Sequence, residues 1–306
     1  MDTLIVITGP TAVGKTALTI ELAQYYGVHV MNADSRQIYR ELQIGTAAPT
    51  AEQLCQVVHE FVGTKSIHDY YNASMYEQEV MALMAQDRSG GSAVPRRWLL
   101  SGGSMMYIDA VCNGIDDIPT VRDDIREEMK RRYREEGLEA LCEELRRLDP
   151  EHYAVVDRKN HRRVIHALEI CYQTGLTYTS FRRQEKKARP FRVVKIGLNR
   201  EREELYNRIN ARVDEMMELG LLKEAEGLYE YRQLNALNTV GYKELFDYMD
   251  GRWSLAEAVE RTKGNTRRYA RKQLTWFRRD PDVQWFHPDD KEAILQYIRS
   301  REKETT

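Results

Sequence analysis

The fold of this protein is decided by residues 4–24, which read LIVITGPTAVGKTALTIELAQ. Residues 4–8 predict a short buried strand, and residues 15–26 predict a helix. The segment between them matches Gly-x-x-x-x-Gly-Lys-[Ser/Thr], a pattern whose glycines let backbone amides converge on phosphate oxygens at a helix N-terminus. We therefore predict a phosphate-binding loop formed by Gly9, Pro10, Thr11, Ala12, Val13, Gly14, Lys15 and Thr16.

Two side chains of this loop carry the expected chemistry. Lys15 adds a positive charge, and the Thr16 hydroxyl is a candidate ligand for Mg²⁺. The pattern by itself suits three kinds of phosphate: a nucleotide that is hydrolysed, the donor of a phosphoryl group, or a leaving group in another reaction.

Strands and helices alternate from the start of the chain. Residues 28–35 and 96–103 predict further strands, and residues 75–87 carry apolar side chains at helical spacing. This alternation predicts an α/β fold, with a P-loop parallel sheet core and helices on both of its faces.

The character of the sequence changes after about residue 117. Residues 122–147 mix acidic and basic side chains and predict one or two solvated amphipathic helices, and residues 158–172 predict another. Residues 191–198 again predict a strand. We therefore predict a first part of the core in residues 1–116, a helical insertion domain in 117–192, and in 193–306 a return to the core with a helical C-terminal part.

Composition limits the class of protein. The chain has 306 residues, 42% of them hydrophobic, which is enough for a sizeable core. No apolar run approaches the ~20 residues that span a bilayer, and the N-terminus does not resemble a signal peptide, so we expect a cytoplasmic protein without a membrane partner. The scattered cysteines include no C-x-x-C pair, which argues against a zinc site or a disulfide framework.

An acidic residue, Asp34, ends the second predicted strand within the pattern D-S-R-Q-x-Y. The strand in residues 96–103 ends instead in Ser101-Gly-Gly-Ser104, without the metal-binding carboxylate that an ATPase needs. The hydrogen-bonding side chains around Asp34 indicate a site that reads a planar polar ligand. The alternative from spacing alone is a helix N-cap, with Ser35 assisting.

Positive charge is concentrated in residues 261–279, which contain eight Lys or Arg and no acid. Residues 158–166 form a second basic cluster. Segregated charge on a chain of net charge −2 indicates binding to a polyanion, and the alternative is an ordinary solvated helix face. The interleaved Trp276 and Phe277 suit either core anchors or groups that stack on bases.

Several stretches together resemble one family, the tRNA dimethylallyltransferases, which are isopentenyltransferases acting on adenosine 37 beside the anticodon. The resemblance covers residues 4 to about 280. It rests on the phosphate loop and on NADSRQIY (32–39), IGTAAPT (44–50), SGGSMMY (101–107), RRVIHALEI (162–170), RINARVDEMMELGLLKEA (208–225), TVGYKE (239–244) and TRRYARKQLTWFRRD (266–280).

The resemblance implies a donor, an acceptor and a metal. The loop would hold the diphosphate of dimethylallyl diphosphate with Mg²⁺, diphosphate would be the leaving group, and no ATP would be consumed. Asp34 corresponds to the general base, which accepts a proton from the poorly nucleophilic adenine amine, and Ser104 to a further catalytic residue. Arg212 corresponds to the arginine that stabilises the departing diphosphate, with Arg208 as a second candidate.

From sequence alone, both arginines also suit surface ion pairs with Glu204 or Glu215. For the partner tRNA, the resemblance implies binding through Asp34, Ser35, Arg36, Gln37, Ser104, Arg126, Arg162, Arg163, Val164, Ile165, His166, Asn238, Gly241 and Lys243. The insertion and the basic C-terminal stretch would hold phosphates on either side of the anticodon loop. We expect a monomer.

Three positions depart from the family pattern. Ser104 stands where threonine is usual and keeps the hydroxyl, whereas Ala48 replaces a common lysine and removes one phosphate contact. His166 replaces an arginine, so this tRNA contact is weaker or depends on pH. No zinc-finger pattern of the kind found in some eukaryotic members is present, which is typical of the bacterial type.

Two other functions compete with this one. A P-loop kinase of a nucleoside or other small molecule would use ATP, and it leaves the basic stretch unexplained. A non-catalytic RNA-binding protein with a nucleotide switch would make Asp34 incidental.

Overall fold

A computed structural model of the chain describes residues 1–88, 94–182 and 186–303. The chain folds into two compact units, one made of Met1–Asn113 and Arg189–Thr306 and the other of Gly114–Ala188. The second unit therefore spans residues 114–188. The helical insertion predicted from the sequence had slightly different bounds, 117–192.

The first unit is built on a parallel sheet with the strand order β3-β2-β4-β1-β5-β6 in the described residues. Its strands are β1 (Thr3–Thr8), β2 (Val30–Asn32), β3 (His59–Glu60), β4 (Arg97–Gly102), β5 (Arg192–Leu198) and β6 (Val283–Phe286). Its helices are α1 (Lys15–Tyr26), α2 (Ala51–Gln56), α3 (Ala73–Arg88), α4 (Met105–Asn113), α9 (Arg202–Glu218), α10 (Leu221–Leu228), α11 (Tyr242–Met249), α12 (Leu255–Phe277) and α13 (Lys291–Lys303).

The central strand β1 is buried along its whole length, and its side chains alternate between two cores. Leu4 and Val6 pack into a core that also contains side chains of α3, α4, α11 and α12. Ile5 and Ile7 pack into a second core with side chains of α1, α9 and α13. Helices therefore cover both faces of the sheet, and the predicted fold class is confirmed.

The parallel direction of the strands determines where a ligand can bind. Because all the carboxyl ends lie at one edge of the sheet, the loops after β1, β2 and β4 meet there. These loops contain the Gly9–Thr16 segment, Asp34 and Ser104.

The structure differs from the predicted elements in several places. The segment 28–35 supplies only the three residues of β2, and the short edge strand β3 was not predicted because two residues carry no periodicity. The elements β6 and α13, which follow residue 279, were not predicted either.

The second unit is helical and has its own core. Its helices are α5 (Asp123–Leu148), α6 (Pro150–Val155), α7 (His161–Thr174) and α8 (Tyr178–Phe181). Gly137 interrupts α5 with φ 81° and ψ 173°, so the predicted "one or two helices" are two helical segments joined at a kink. Met129, Leu141, Leu145 and Leu168 form the centre of the core.

None of the helices within residues 1–88, 94–182 and 186–303 combines the length and the apolar character required to cross a membrane.

Candidate active site

The Gly9–Thr16 segment is a tight loop between the end of β1 and the start of α1. Gly9 has φ +146°, and a Cβ atom there would lie 2.6 Å from the carbonyl oxygen of Leu198. Gly14, at the N-terminus of α1, has φ +113°. Both positions therefore require glycine, and the loop presents the free amides of a helix N-terminus.

Three side chains from distant parts of the chain hold this loop. The Nε atom of Arg208 donates to the carbonyl of Ala12 at 2.9 Å. Likewise, the Nε atom of Arg200 donates to the carbonyl of Val13 at 2.9 Å. The third side chain is that of Gln273, which accepts a hydrogen bond from the amide of Thr11 at 2.9 Å. Sequence reasoning missed Arg200 and Gln273, because no local pattern links them to the loop.

Lys15 folds back over the loop. Its Nζ atom donates to the carbonyl oxygens of Gly9 and Pro10, at 2.9 and 2.8 Å. Loss of hydration and the nearby Arg212 cation, against the opposing effect of the Asp34 carboxylate, together lower the pKa of Lys15 to about 7. Lys15 would therefore readily gain a proton when an anion binds at the loop.

Arg212, on α9, is a largely desolvated cation. Within the described residues its guanidinium makes no hydrogen bond or ion pair, and Glu204, one of its expected partners, pairs instead with Arg200 at 2.5 Å. Desolvation and the Arg208 charge lower the pKa of Arg212, against the opposing effect of Glu215 and Asp34. The surface ion-pair alternative is thus wrong for Arg212, and a desolvated cation without a direct ion pair is typical of an anion site.

Asp34 lies in the loop that follows β2, and it organises a turn. Its Oδ1 atom accepts hydrogen bonds from the amides of Arg36, at 2.9 Å, and Gln37, at 3.3 Å. No helix begins at this position, so the carboxylate caps a turn and not a helix. In the described part of the chain nothing donates to Oδ2, which leaves one carboxylate oxygen for a ligand.

The neighbours of Asp34 are largely occupied by contacts within the protein. The Oγ atom of Ser104, only 7% exposed as a residue, accepts from the amide of Ser35 at 2.7 Å and contacts its hydroxyl at 3.1 Å. Gln37 donates from Nε2 to the carbonyls of Thr46 and Ala47, at 3.0 and 2.9 Å. These residues shape the site, whereas Asp34 keeps a free acceptor.

Two tyrosines that the sequence did not predict lie in the same region. Tyr107 is 6% exposed, its ring stacks on Tyr76 at 4.4 Å, and its hydroxyl has no hydrogen-bond partner among the described residues. Burial raises the pKa of Tyr107 and of Tyr269, and the Asp34 carboxylate contributes to both increases. Both phenols therefore lie near Asp34 and remain protonated at neutral pH.

Comparison with known proteins identifies the family of this site. Residues 37–280 match the family model described as IPP transferase. The chain is 59% identical over 299 residues to tRNA dimethylallyltransferase 1 of Bacteroides thetaiotaomicron, covering 98% of this chain and 96% of that protein.

The chain belongs to the IPP transferase family.

Solved structures agree with this membership. The full-length tRNA isopentenylpyrophosphate transferase from Bacillus halodurans is 35% identical, with a TM-score of 0.70 and 99% of both chains covered. A eukaryotic dimethylallyltransferase acting on tRNA is 25% identical, with a TM-score of 0.79, 98% of this chain covered and 77% of that chain. The prediction of a prenyltransferase enzyme is confirmed.

In this IPP transferase, the half-buried Glu224 on α10 connects residues 43–45 to Tyr242 of the 238–243 segment. The Glu224 carboxylate accepts hydrogen bonds from the amides of residues 43–45, at 2.9 to 3.1 Å, and from the Tyr242 hydroxyl, at 2.6 Å. Gly241 has φ +97° and donates its amide to Glu244 at 2.8 Å. Asn238 is partly exposed and Lys243 is exposed, so both remain accessible at the start of α11.

The basic stretch 261–279 lies almost entirely on α12, and its two faces differ. Trp276 packs against the core and donates from Nε1 to Asp109 at 2.8 Å, and Phe277 is buried. Both are therefore core anchors and not base-stacking groups. Arg268, Arg271 and Lys272 are exposed.

The second unit contains the remaining residues with predicted tRNA contacts. Arg162 and Arg163 are exposed in the first turn of α7, whereas the side chains of Val164 and Ile165 are buried in the core of the unit. His166 contacts Glu169, with 3.3 Å between Nδ1 and Oε2, and Arg126 donates to a carbonyl of its own segment at 3.5 Å. The arginines are thus exposed at the start of α7, and His166 is partly exposed one turn further along the helix.

The side-chain oxygens at the loop are compatible with an Mg²⁺ ion that is coordinated mainly by the phosphate oxygens of a bound molecule. Within the described residues no cluster of three His, Cys, Asp or Glu side chains could hold a metal, and the Thr16 hydroxyl has no hydrogen-bond partner there. Mg²⁺ commonly binds one or two protein oxygens together with phosphate oxygens and water. One threonine hydroxyl beside a phosphate loop is compatible with that pattern.

Proposed function

We propose that this chain transfers the dimethylallyl group of dimethylallyl diphosphate to the exocyclic N6 of adenosine 37 in tRNA and releases diphosphate. One observation carries the proposal: the Asp34 carboxylate lies close enough to both Lys15 and Arg212 to raise their pKa values, and Arg212 makes no ion pair within the described residues. This arrangement supports a reaction in which a cationic loop stabilises a leaving anion and a nearby carboxylate accepts a proton.

The acceptor half of the reaction needs a base. The N6 lone pair of adenine is delocalised into the ring, so the amine attacks carbon only as a proton leaves it. The free Oδ2 atom of Asp34 would accept one N6 hydrogen, while Oδ1 stays bonded to the turn amides and fixes the carboxylate. As the C–N bond forms, that proton passes to Asp34.

The donor half needs stabilisation of negative charge. When the allylic C–O bond breaks, the electron pair stays on the diphosphate oxygen. The amides at the start of α1, the Lys15 ammonium and the Arg212 guanidinium would stabilise that charge where it develops. Ser104 would act indirectly, because its hydroxyl holds Ser35 next to Asp34.

Thr16 would help to hold Mg²⁺, which would supply a further positive charge to the diphosphate oxygens. The residues of the chain orient that diphosphate. Arg208 and Arg200 hold the carbonyls of Ala12 and Val13, which keeps the loop amides aimed at one point.

The tRNA would be held through its phosphates. The exposed cations of α12 and the arginines at the start of α7 suit the backbone of an anticodon stem-loop. Adenosine 37 would leave the stacked loop to reach Asp34, at a cost of a few kcal/mol. Asn238 and Lys243 are further candidates for tRNA contacts.

The test is a single mixture of purified protein, Mg²⁺, radiolabelled dimethylallyl diphosphate and unmodified tRNA, without ATP. We expect label in the tRNA, and loss of label when position 37 is changed to guanosine. Label that enters tRNA irrespective of position 37 would contradict the acceptor. A reaction that requires ATP would contradict the donor and favour a P-loop kinase.

The pKa of Lys15 gives a second expected result. In the free protein its pKa is about 7, so at pH 8 about 90% of Lys15 is neutral. Bound diphosphate favours the ammonium form and raises that pKa. Binding at pH 8 should therefore take up nearly one proton at Lys15, and binding at pH 6 should take up almost none.

Calorimetry of diphosphate binding in two buffers of different ionisation enthalpy measures this uptake. The matched control is Lys15→Arg, which keeps the positive charge but remains protonated throughout this range. Subtracting its proton count removes the contribution of diphosphate itself. Equal proton counts for the two proteins at pH 8 would contradict a neutral Lys15.

A further inference from the structure

Gln273 joins two loops of the candidate site through its side-chain amide. It lies on α12 and is 2% exposed. Its Oε1 atom accepts a hydrogen bond from the amide of Thr11 at 2.9 Å. Its Nε2 atom donates to the carbonyl of Gly103 at 2.8 Å. Only one orientation of the amide satisfies both contacts, which assigns its oxygen and nitrogen.

The fit around this amide is close. A Cβ atom on Gly103 would lie 2.4 Å from Nε2 of Gln273 and 3.8 Å from the carbonyl oxygen of Gly9. Any larger residue at position 103 would therefore displace the amide. The same distances show that the turn after β4 and the loop after β1 approach each other at this point.

The two bonded groups belong to opposite halves of the proposed reaction. Thr11 is part of the loop for diphosphate, and its amide is already used by Gln273. Gly103 precedes Ser104, whose hydroxyl accepts from the amide of Ser35 beside Asp34 at 2.7 Å. One side chain thus connects the donor loop to the turn that supports the acceptor base.

We propose that Gln273 is a positioning residue that fixes the distance between the diphosphate loop and the Asp34 side of the site, which rests on the proposed function. Misplacing reacting groups by about 1 Å can cost on the order of 100-fold in rate. Gln273 contacts neither reacting atom, so its effect acts through Thr11 and Gly103.

The first variant is Gln273→Met, which keeps the length of the side chain but forms neither hydrogen bond. We expect kcat to fall by about 10- to 100-fold, with weaker diphosphate binding by calorimetry and a KM for tRNA within about twofold of wild type. The matched control is Thr262→Val, a buried change on the same helix. In the described part of the chain the Thr262 hydroxyl bonds only to the carbonyl of Ala258, in its own helix. We expect this control to keep wild-type kcat.

The second variant, Gln273→Glu, tests the hydrogen-bond pattern itself. An ionised carboxylate opposes the Gly103 carbonyl, whereas the protonated acid again offers one donor and one acceptor. Burial favours the protonated form. The ratio of Gln273→Glu to wild-type activity should therefore rise as the pH falls, while the ratio for Gln273→Met stays flat.

A Gln273→Met protein with wild-type kcat and a lower melting temperature would show a purely structural residue and overturn the proposal. A flat pH ratio for Gln273→Glu would also overturn it. Failure of the proposed function looks different, because it is seen in the wild-type protein itself, as no transfer of label without ATP or as label that does not depend on position 37.

Discussion

Replacing Asp34 by asparagine is expected to lower the rate of transfer by about 10²- to 10⁴-fold, the range typical of a lost general base. Asparagine keeps a side-chain oxygen for the amides of Arg36 and Gln37, so the turn after β2 should survive. What it loses is the ability of Oδ2 to take a proton from N6. Affinity for tRNA should remain within a few-fold of wild type.

Single-turnover transfer with saturating protein measures this effect apart from product release. The matched control is Asp69→Asn, because Asp69 also caps a turn, accepting from the amide of Ser66 at 2.7 Å, and has no predicted role in catalysis. The control should transfer at the wild-type rate. Asp34→Asn protein that transfers at a near wild-type rate would remove Asp34 from the mechanism.

The second large effect is expected at Arg212. Changing it to methionine should lower kcat by about 10²- to 10³-fold, the usual cost of losing one donor that stabilises charge in the transition state. The melting temperature should not fall, because the change removes a desolvated guanidinium that has no ion pair within the described residues. Loss of rate without loss of stability is the combination that a functional cation predicts.

Arg208→Met is the matched comparison on the same helix. Arg208 is exposed and donates to the carbonyl of Ala12, so its loss should loosen the loop and raise the KM for dimethylallyl diphosphate. We expect its kcat to stay within about 10-fold of wild type, since Arg208 supports the loop from outside. Equal losses of kcat in the two variants would mean that both arginines act on the diphosphate. Steady-state kinetics and thermal unfolding of both proteins decide between these outcomes.

Local sequence patterns were sufficient to predict the phosphate loop, its flanking strand and helix, and the position of Asp34 after a strand. The glycines, Lys15 and Thr16 lie within one short segment that follows a short apolar run and opens a helix, so the local pattern by itself predicts β1, the loop and α1. Asp34 was placed at the end of a strand for the same reason. Once the strands are known to be parallel, their loops must share one edge, which already brings Asp34 and Ser104 towards the phosphate loop.

The supporting contacts were decided only by the tertiary structure. Gln273 and Thr11 are 262 positions apart in the chain, and Arg200 and Val13 are 187 apart. A hydrogen bond over such separations leaves no period or spacing for sequence reasoning to detect. The basic stretch shows the same limit, since its charges were visible but its inward face, with Gln273, Trp276 and Phe277, was not.

The sequence by itself determined which groups are available: a phosphate loop, a carboxylate after a strand, and cations on α9 and α12. Folding decided which of those cations remain unpaired, because Arg200 binds Glu204 and leaves Arg212 without an ion pair in the described residues. Local periodicity follows from the backbone geometry of helices and strands, so it can be detected in the amino-acid sequence alone. The environment of a charge depends on every segment packed around it, and that exists only in the folded protein.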